Sequence, residues 1–234
     1  MSEDNGHSAN QERAIRILEA AAELIVHYGY DKTTVSDIAR EAGVSKGAIY
    51  LHWNSKEDLF EALYHYEAAR YVDAWTQLFR AEKGDWSFVR MFQLNLMVLQ
   101  KHPFMLALLT QDQRVLGSYL RRNKSPMQQK GAANAELFRQ LQQVGAARDD
   151  IDPQVIAYLL NAFSYGLLTA HEVIPPEDTP TFDAISEGMG KIMDRGLEPV
   201  GGGNREAARE LVLQVVEATQ AQLHAQGSRG ETHD

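Results

Sequence analysis

Cysteine is missing from all 234 residues of the chain. Without thiols the protein can form neither a disulfide framework nor a thiolate metal site, and it has no cysteine nucleophile. This composition is compatible with a reducing compartment. A chain of this length can bury a sizeable core, so we expect one or two domains.

Long apolar runs are missing as well. The longest nearly apolar stretches, such as residues 91–99, are broken by polar residues, here Gln93 and Asn95, and are too short to span a bilayer. The first residues are polar and lack the apolar segment of a secretory signal peptide. We therefore expect no membrane partner, a cytoplasmic location, and disordered tails over residues 1–10 and 227–234.

Sequence patterns that carry catalysis or bind metals do not occur. The chain has no G-x-S-x-G, no H-E-x-x-H and no phosphate-binding loop, and its eight histidines are scattered. Asp152 lies just before Pro153, where it fits a helix N-cap better than a calcium loop. We predict that the protein is not an enzyme, with no catalytic residue, no metal site and no cofactor.

Positive charge is scarce. The chain holds 23 Lys and Arg against 32 Asp and Glu, and residues 1–60 alone hold six basic and ten acidic side chains. Any binding to DNA by residues 1–60 would therefore depend on where a few cations lie, because this segment is acidic overall.

Helical periodicity is present almost everywhere. Apolar residues recur at spacings of three and four, and no segment shows the alternation of a strand. N-cap residues, glycines and prolines mark the helix ends. The sequence predicts an all-α fold with helices over residues 11–28, 35–42, 46–52, 55–80, 86–101, 103–121, 126–145, 153–173, 181–195 and 204–226.

Two of these helices are short and are joined by a glycine turn. Ala39 is small where the helices would cross, and Gly43 supplies the turn. Three apolar residues form a miniature core between them: Ile38, Val44 and Ile49. This arrangement is typical of a helix-turn-helix, whose second helix is presented outward.

Residues 33–59 read T-T-V-S-D-I-A-R-E-A-G-V-S-K-G-A-I-Y-L-H-W-N-S-K-E-D-L. This stretch resembles the TetR family of bacterial transcriptional regulators, and the resemblance covers about residues 14–63. It implies an all-helical homodimer with a helix-turn-helix DNA-binding domain over residues 11–58 and a larger ligand-binding and dimerisation domain over residues 59–226. Ala48 and Leu51 depart from the family, because many relatives have Ser or Thr at the first position and an aromatic residue or histidine at the second.

Candidate DNA contacts lie on the second short helix and at the N-termini of its neighbours. Gly47 and Ala48 let this helix lie close to a major groove about 12 Å wide, and Lys46 can reach a phosphate or a guanine edge. Tyr50 and His52 can donate to phosphates, and the Tyr50 ring can also touch a thymine methyl. The predicted DNA-binding residues are Thr34, Ser36, Ser45, Lys46, Gly47, Ala48, Tyr50, His52 and Lys56.

Aromatic residues and methionines are concentrated in the middle of the chain. Such surfaces adapt to apolar ligands, so we predict a pocket for an apolar or amphipathic small-molecule effector. The alternative is that these side chains form plain core. The predicted ligand-binding residues are Trp75, Phe79, Phe88, Phe92, Asn95, Phe104, Met105, Tyr119, Phe138, Asn161 and Tyr165.

Two apolar helices, over residues 153–173 and 204–226, are candidates for a dimer interface. Two such helices from each subunit would form an isologous four-helix contact. The alternative is that both complete the core of one subunit. The predicted interface residues are Leu159, Phe163, Gly166, Leu167, Leu211, Val212, Val215 and Thr219.

From the resemblance we predict a dimeric repressor of transcription that binds a palindromic DNA operator and is released by its effector. The ligand would tilt the long helix over residues 55–80 and change the spacing of the two DNA-binding domains. Two alternatives remain open. The chain could be an activator or a co-repressed member of the family, or a helical ligand-binding or adaptor protein without a role on DNA.

Overall fold

The computed structural model describes residues 3–84, 86–122 and 127–229. In these residues the chain forms α-helices, with short 3-10 helices at Ala170–Glu172 and Pro176–Asp178, and no strand. The all-α prediction is therefore confirmed. The α-helices are α1 Glu3–Tyr28, α2 Val35–Glu41, α3 Lys46–Tyr50, α4 Lys56–Ala81, α5 Phe88–Gln100, α6 Pro103–Thr110, α7 Gln113–Leu116, α8 Ser118–Arg122, α9 Met127–Gln143, α10 Pro153–Thr169, α11 Phe182–Leu197 and α12 Arg205–Arg229.

Side-chain caps fix several helix starts where the sequence places them. The Ser45 hydroxyl accepts a hydrogen bond from the N–H of Ala48 at 3.1 Å and begins α3. The Asp152 carboxylate accepts from the N–H of Gln154 at 2.7 Å, and Pro153 follows at the first helical position of α10. Each cap satisfies an N–H group that has no partner within its own helix.

Helices α1 and α12 run into the expected tails. Helix α1 begins at Glu3, where acidic residues favour a helix N-terminus, and residues 3–10 contain no proline to stop it. Helix α12 continues to Arg229. Residues 3–10 and 227–229 are thus helical, while the outermost positions of both predicted tails lie outside the described residues.

The helix predicted over residues 103–121 is divided into α6, α7 and α8. Gln111 adopts a left-handed backbone with φ 51°, which ends α6, and the Asp112 carboxylate then caps α7 by accepting from the N–H of Arg114 at 2.8 Å. Gly117, with φ 49°, separates α7 from α8. The Asp112 cap and Gly117 interrupt the helix, although the apolar periodicity of this segment predicts a single one.

One compact unit combines Met1–Tyr71 with His102–Asn123 and Gln220–Asp234. Within it, α1 packs against α2, α6 and α7, and α2 packs against α3. The Phe60 ring lies 4.0 Å from the Tyr119 ring and 5.4 Å from the Phe104 ring, measured between centroids. This aromatic cluster forms part of the core of the first unit.

The second unit comprises Val72–Lys101 and Lys124–Thr219. Within it, α9 packs against α10, and α5 packs against α11, where Gly190 faces Val89. The predicted domain boundary between residues 58 and 59 stays a prediction, because compactness divides the chain at another point, within α4. None of the described helices is both long and apolar enough to cross a membrane.

Candidate nucleic-acid interface

Helix α2 starts with a reciprocal cap. The Thr34 hydroxyl accepts from the N–H of Asp37 at 3.2 Å, and the Asp37 carboxylate accepts from the N–H of Thr34 at 3.2 Å. The hydroxyl of Thr34 also donates to Asp37, and these hydrogen bonds, followed by the charge of Arg40, hold the pKa of Asp37 below its ordinary value. The predicted contact residue Thr34 thus already uses its hydroxyl in the cap, whereas Ser36 is exposed on the same helix.

Helix α3 presents the face predicted to meet DNA. Ile49 is buried beneath the helix, whereas Ser45, Lys46, Gly47 and Tyr50 are exposed. The Lys46 ammonium lies 5.8 Å from the centroid of the Tyr50 ring. Burial of Ile49 sets which side of α3 faces the core. The Lys46 ammonium, the Ser45 hydroxyl and the Tyr50 phenol therefore lie on its outer side. Ala48 is half-buried at the edge of this face.

Two predicted DNA contacts, His52 and Lys56, follow α3 in the chain, and both side chains are half-buried. His52 is half-buried, with its ring 5.2 Å from the Trp53 ring. The Lys56 ammonium donates to the backbone carbonyl oxygen of Tyr30. Burial lowers the pKa of Lys56, and the carboxylates of Asp31 and Glu57 act against that shift. Lys56 is therefore anchored inside its own subunit, and its role as a phosphate contact stays a prediction.

Leu51 belongs to the outer side of α3 but is missing from the predicted set. Its side chain is 82% exposed, and its backbone continues the helical conformation of α3 with φ −71° and ψ −22°. The sequence does carry a signal for it, because Leu51 lies four residues after Gly47 and so shares its side of the helix.

The predicted ligand-binding residues are divided between two cores and a surface. Phe104 and Met105 are buried in the first unit, where Tyr119 packs on Phe60. Asn95 is half-buried in the second unit, whereas Asn161 and Tyr165 are exposed on α10. Five aromatic residues are buried in the second unit: Trp75, Phe79, Phe88, Phe92 and Phe138.

Ring contacts fill the space between several of these aromatic residues. Trp75 stacks on Phe79 with centroids 4.8 Å apart, and Phe88 stacks on Phe138 at 6.0 Å. These two stacked pairs lie in the core of the second unit. Large apolar residues at helical spacing are typical of a packed core as well as of an apolar pocket. Ligand contacts by the predicted residues stay a prediction.

A pocket of about 600 Å³ lies elsewhere in the second unit and is mostly charged. Its lining includes Arg148, Asp150, Asp194 and Glu198. Arg148 pairs with Asp150, and Glu198 pairs with Arg205 at 2.7 Å, so much of this charge is internally compensated. Among the described residues, no three His, Cys, Asp or Glu side chains come together as a possible metal site.

Helix α10 carries a largely uncovered apolar face. Leu159 is 57% exposed, Phe163 and Gly166 are exposed, and Leu167 is half-buried. On α12, Leu211 and Val215 are half-buried and Thr219 is exposed. Val212 is 1% exposed and belongs to the core of its own subunit, so it differs from the prediction that it lies in the dimer interface.

Comparison with known proteins finds relatives for the segment that forms this geometry. Residues 17–63 match the bacterial regulatory proteins of the tetR family. Over 53 residues, 23% of this chain and 25% of the relative, the sequence is 47% identical to the HTH-type transcriptional regulator TtgR of Pseudomonas putida. Over 59 residues, 25% of this chain and 30% of the relative, it is 37% identical to the fatty acid metabolism regulator protein of Bacillus subtilis.

The chain thus spans less than a third of the length of these curated relatives. The fold is similar over a longer range to the crystal structure of the transcriptional regulator FadR from Bacillus subtilis in complex with stearoyl-CoA. The TM-score is 0.59 at 18% identity, covering 78% of this chain and 98% of FadR, and at this identity the likeness shows the fold alone. With its N-terminal helix-turn-helix and larger helical C-terminal part, the chain is similar to the bacterial regulatory proteins of the tetR family, in sequence over residues 17–63 and in fold over most of its length.

Proposed function

We propose that the protein is a transcriptional repressor that binds a palindromic DNA operator as a homodimer. The observation that carries this proposal is the outer side of α3, where Ser45, Lys46, Gly47 and Tyr50 are exposed together above buried Ile49. The relatives reported above are named as regulators, which supports a role without catalysis. We place its action in the cytoplasm, where it would have access to chromosomal DNA.

DNA binding by this chain must depend on where its few cationic side chains lie. Residues 1–60 carry more acidic than basic side chains, so general attraction to DNA is weak. Lys46 is exposed on the outer side of α3, while the acidic Asp37 is tied to Thr34 and Arg40. Because each half-site offers so few cationic contacts, tight binding would need two copies acting together on a two-fold operator.

The apolar face of α10 is our candidate for the surface that joins the two copies. Tyr158 is 73% exposed, and Leu159, Phe163 and Tyr165 are also exposed. Side chains of this size on one helix are costly to leave in water and favour a protein contact. An isologous interface would use the same face from both subunits.

The effector we propose is an apolar or amphipathic small molecule. FadR, which shares the fold, is known in complex with stearoyl-CoA. In the second unit of this chain, the Trp86 indole N–H is buried and has no hydrogen-bond partner among the described residues. A ligand oxygen reaching this apolar core would satisfy that donor, which otherwise carries an uncompensated desolvation cost.

Effector binding would release the operator. Helix α4 begins in the first unit and ends in the second, so a displacement of α4 by the effector would move the DNA-binding helices with it. By thermodynamic linkage, effector and operator must then weaken each other's binding by the same factor. An effector that saturates the protein without changing operator affinity would contradict this mechanism.

The direct test is a gel-shift titration with the DNA upstream of the coding region. Wild-type protein should retard a fragment that carries a two-fold sequence whose half-sites are about one helical turn apart. Lys46→Ala should weaken binding at least tenfold while the thermal unfolding midpoint stays unchanged. Lys101→Ala is the matched control, since Lys101 is an exposed lysine outside the helix-turn-helix, and it should bind as wild type does. Equal affinity of all three proteins would refute the assigned interface.

A further inference from the structure

Leu51 is a large aliphatic side chain displayed on an otherwise polar surface. It is 82% exposed at the end of α3. Its N–H donates to the carbonyl oxygen of Gly47 at 3.2 Å, so the helical path continues through it and its direction is set by α3. At about 100° per residue, Lys46, Gly47, Tyr50 and Leu51 fall on one side of α3, away from buried Ile49.

Gly47 leaves the space next to Leu51 open, and the fold does not require a glycine there. A Cβ built on Gly47 would meet only the Ser45 hydroxyl oxygen, at 3.8 Å, which is ordinary contact. A glycine inside a helix costs stability relative to alanine. The bare backbone at Gly47 therefore lets another surface approach until it touches Leu51.

The chemistry of Leu51 limits what that surface can offer it. Leucine has no donor or acceptor, so it cannot hold a phosphate or hydrogen-bond a base edge. The aliphatic group that a base pair displays in the major groove is the C5-methyl of thymine. Contact between two aliphatic groups removes apolar surface from water on both sides.

We infer that Leu51 is a specificity-determining residue, which reads the C5-methyl group of a thymine in each half-site of the operator. This inference rests on the proposed function, because it needs α3 to enter the major groove. It assigns a role in sequence selection to Leu51 that differs from the roles of Lys46 and Tyr50, which can hydrogen-bond to phosphates or bases.

The test replaces the thymines of the operator one at a time with deoxyuridine, which lacks only the methyl group. For wild-type protein, one symmetric pair of replacements should weaken binding about three- to tenfold, as expected for losing a buried methyl contact on each side. Leu51→Ala should bind the unmodified operator more weakly by a similar factor. The same deoxyuridine replacement should then change its affinity less than twofold.

Ile192→Ala provides the matched control, because Ile192 is an exposed aliphatic residue on α11, and this variant should respond to deoxyuridine as wild type does. Unchanged thermal unfolding of Leu51→Ala would show that only the surface was altered. A different outcome is that the wild type binds the operator specifically while every deoxyuridine replacement changes its affinity by the same factor as that of Leu51→Ala. That result overturns the inference and leaves the proposed function standing. No specific binding by the wild type overturns both.

Discussion

The Lys56 ammonium lies 3.9 Å from the centroid of the Tyr30 ring and donates a hydrogen bond to the backbone carbonyl oxygen of the same residue. This pair ties the start of α4 to the loop between α1 and α2. The next residue in that loop, Asp31, accepts a hydrogen bond from the N–H of Ser118 at 3.0 Å. The loop that precedes the helix-turn-helix is thus held from two sides within the first unit.

Removing the Lys56 charge should therefore reduce stability. Lys56→Met keeps the aliphatic stem but leaves the Tyr30 carbonyl without its donor and removes the cation–π contact, for a loss of about 1–3 kcal/mol. Urea unfolding measures it. Lys46→Met is the control, because Lys46 is exposed, and it should change stability by less than about 0.5 kcal/mol while weakening operator binding. Equal unfolding midpoints for both variants would show that the Lys56 contact does not stabilise the fold.

Gly29 and Gly43 form a matched pair for testing backbone constraints. Gly29 has φ 89°, and a Cβ on it would lie 2.5 Å from the carbonyl oxygen of Arg114, whereas Gly43 has φ 67° and open space around it. Gly43→Ala should cost about 1–2 kcal/mol from the left-handed backbone alone. Gly29→Ala should cost clearly more, because backbone must also move. Calorimetric unfolding of both variants decides this, and equal losses would exclude the close contact.

Gly47→Ala should separate stability from DNA binding. Alanine should stabilise α3 by about 0.5–1 kcal/mol, because a Cβ there meets nothing closer than the Ser45 hydroxyl oxygen at 3.8 Å. The same methyl group lies where α3 must approach DNA, so operator affinity should fall about tenfold, or about 1.4 kcal/mol.

Gly188→Ala is the control for that experiment. Gly188 lies in α11 with open space around it, so it should gain similar stability without any change in operator affinity. Thermal unfolding and gel-shift titration measure the two effects separately. A Gly47→Ala protein that binds the operator as tightly as wild type would mean that this part of α3 stays away from the DNA.

Local signals let the sequence predict much of this fold. The caps at Thr34 and Ser45 and the glycine turn at Gly43 each act within four residues, and each lies where the pattern places it. The break before α7 was missed, although its cause is equally local. A single aspartate, Asp112, competes there with a strong apolar periodicity, and the left-handed Gln111 that accompanies it has no sequence signature of its own.

Long-range contacts determine the surroundings of the candidate site residues, which the sequence alone does not predict. Sequence places Lys56 at the N-terminus of α4 but does not show that its ammonium turns to Tyr30, 26 positions earlier. From the sequence, Phe88 and Phe138 could line a pocket or belong to the packed core. The structure shows that their rings stack on each other. Val212 repeats the apolar pattern of its neighbours on α12, yet only tertiary packing decides which of them faces inward.

The burial of His102 should make stability depend on pH. His102 Nδ1 lies 3.8 Å from Glu67 Oε2, and Tyr71 packs its ring 5.8 Å away. Burial lowers the pKa of His102, while Glu67 raises it and Arg70 lowers it, leaving a net decrease. The folded state then takes up fewer protons than the unfolded state, so stability is retained above about pH 6.5 and lost as the pH falls below it.

Thermal unfolding between pH 7.5 and 5 tests this expectation. His102→Gln should show a shallower loss of stability in that range than wild type. His27→Gln is the control, because His27 is exposed on α1, and it should follow the wild-type profile. Parallel profiles for wild type and His102→Gln would exclude His102 as the group responsible.

Assembly through α10 can be tested by placing charge on its exposed face. In a dimer joined there, Leu159→Glu would bury two carboxylates without partners, which costs several kcal/mol and should give a monomer by sedimentation equilibrium. Ile192→Glu introduces the same charge at a position that is 68% exposed on α11 and should leave the mass at that of a dimer. Because each monomer presents a single α3, Leu159→Glu should also lose most of its operator affinity while its helical content stays unchanged. A dimeric Leu159→Glu protein would exclude this face of α10 from the interface.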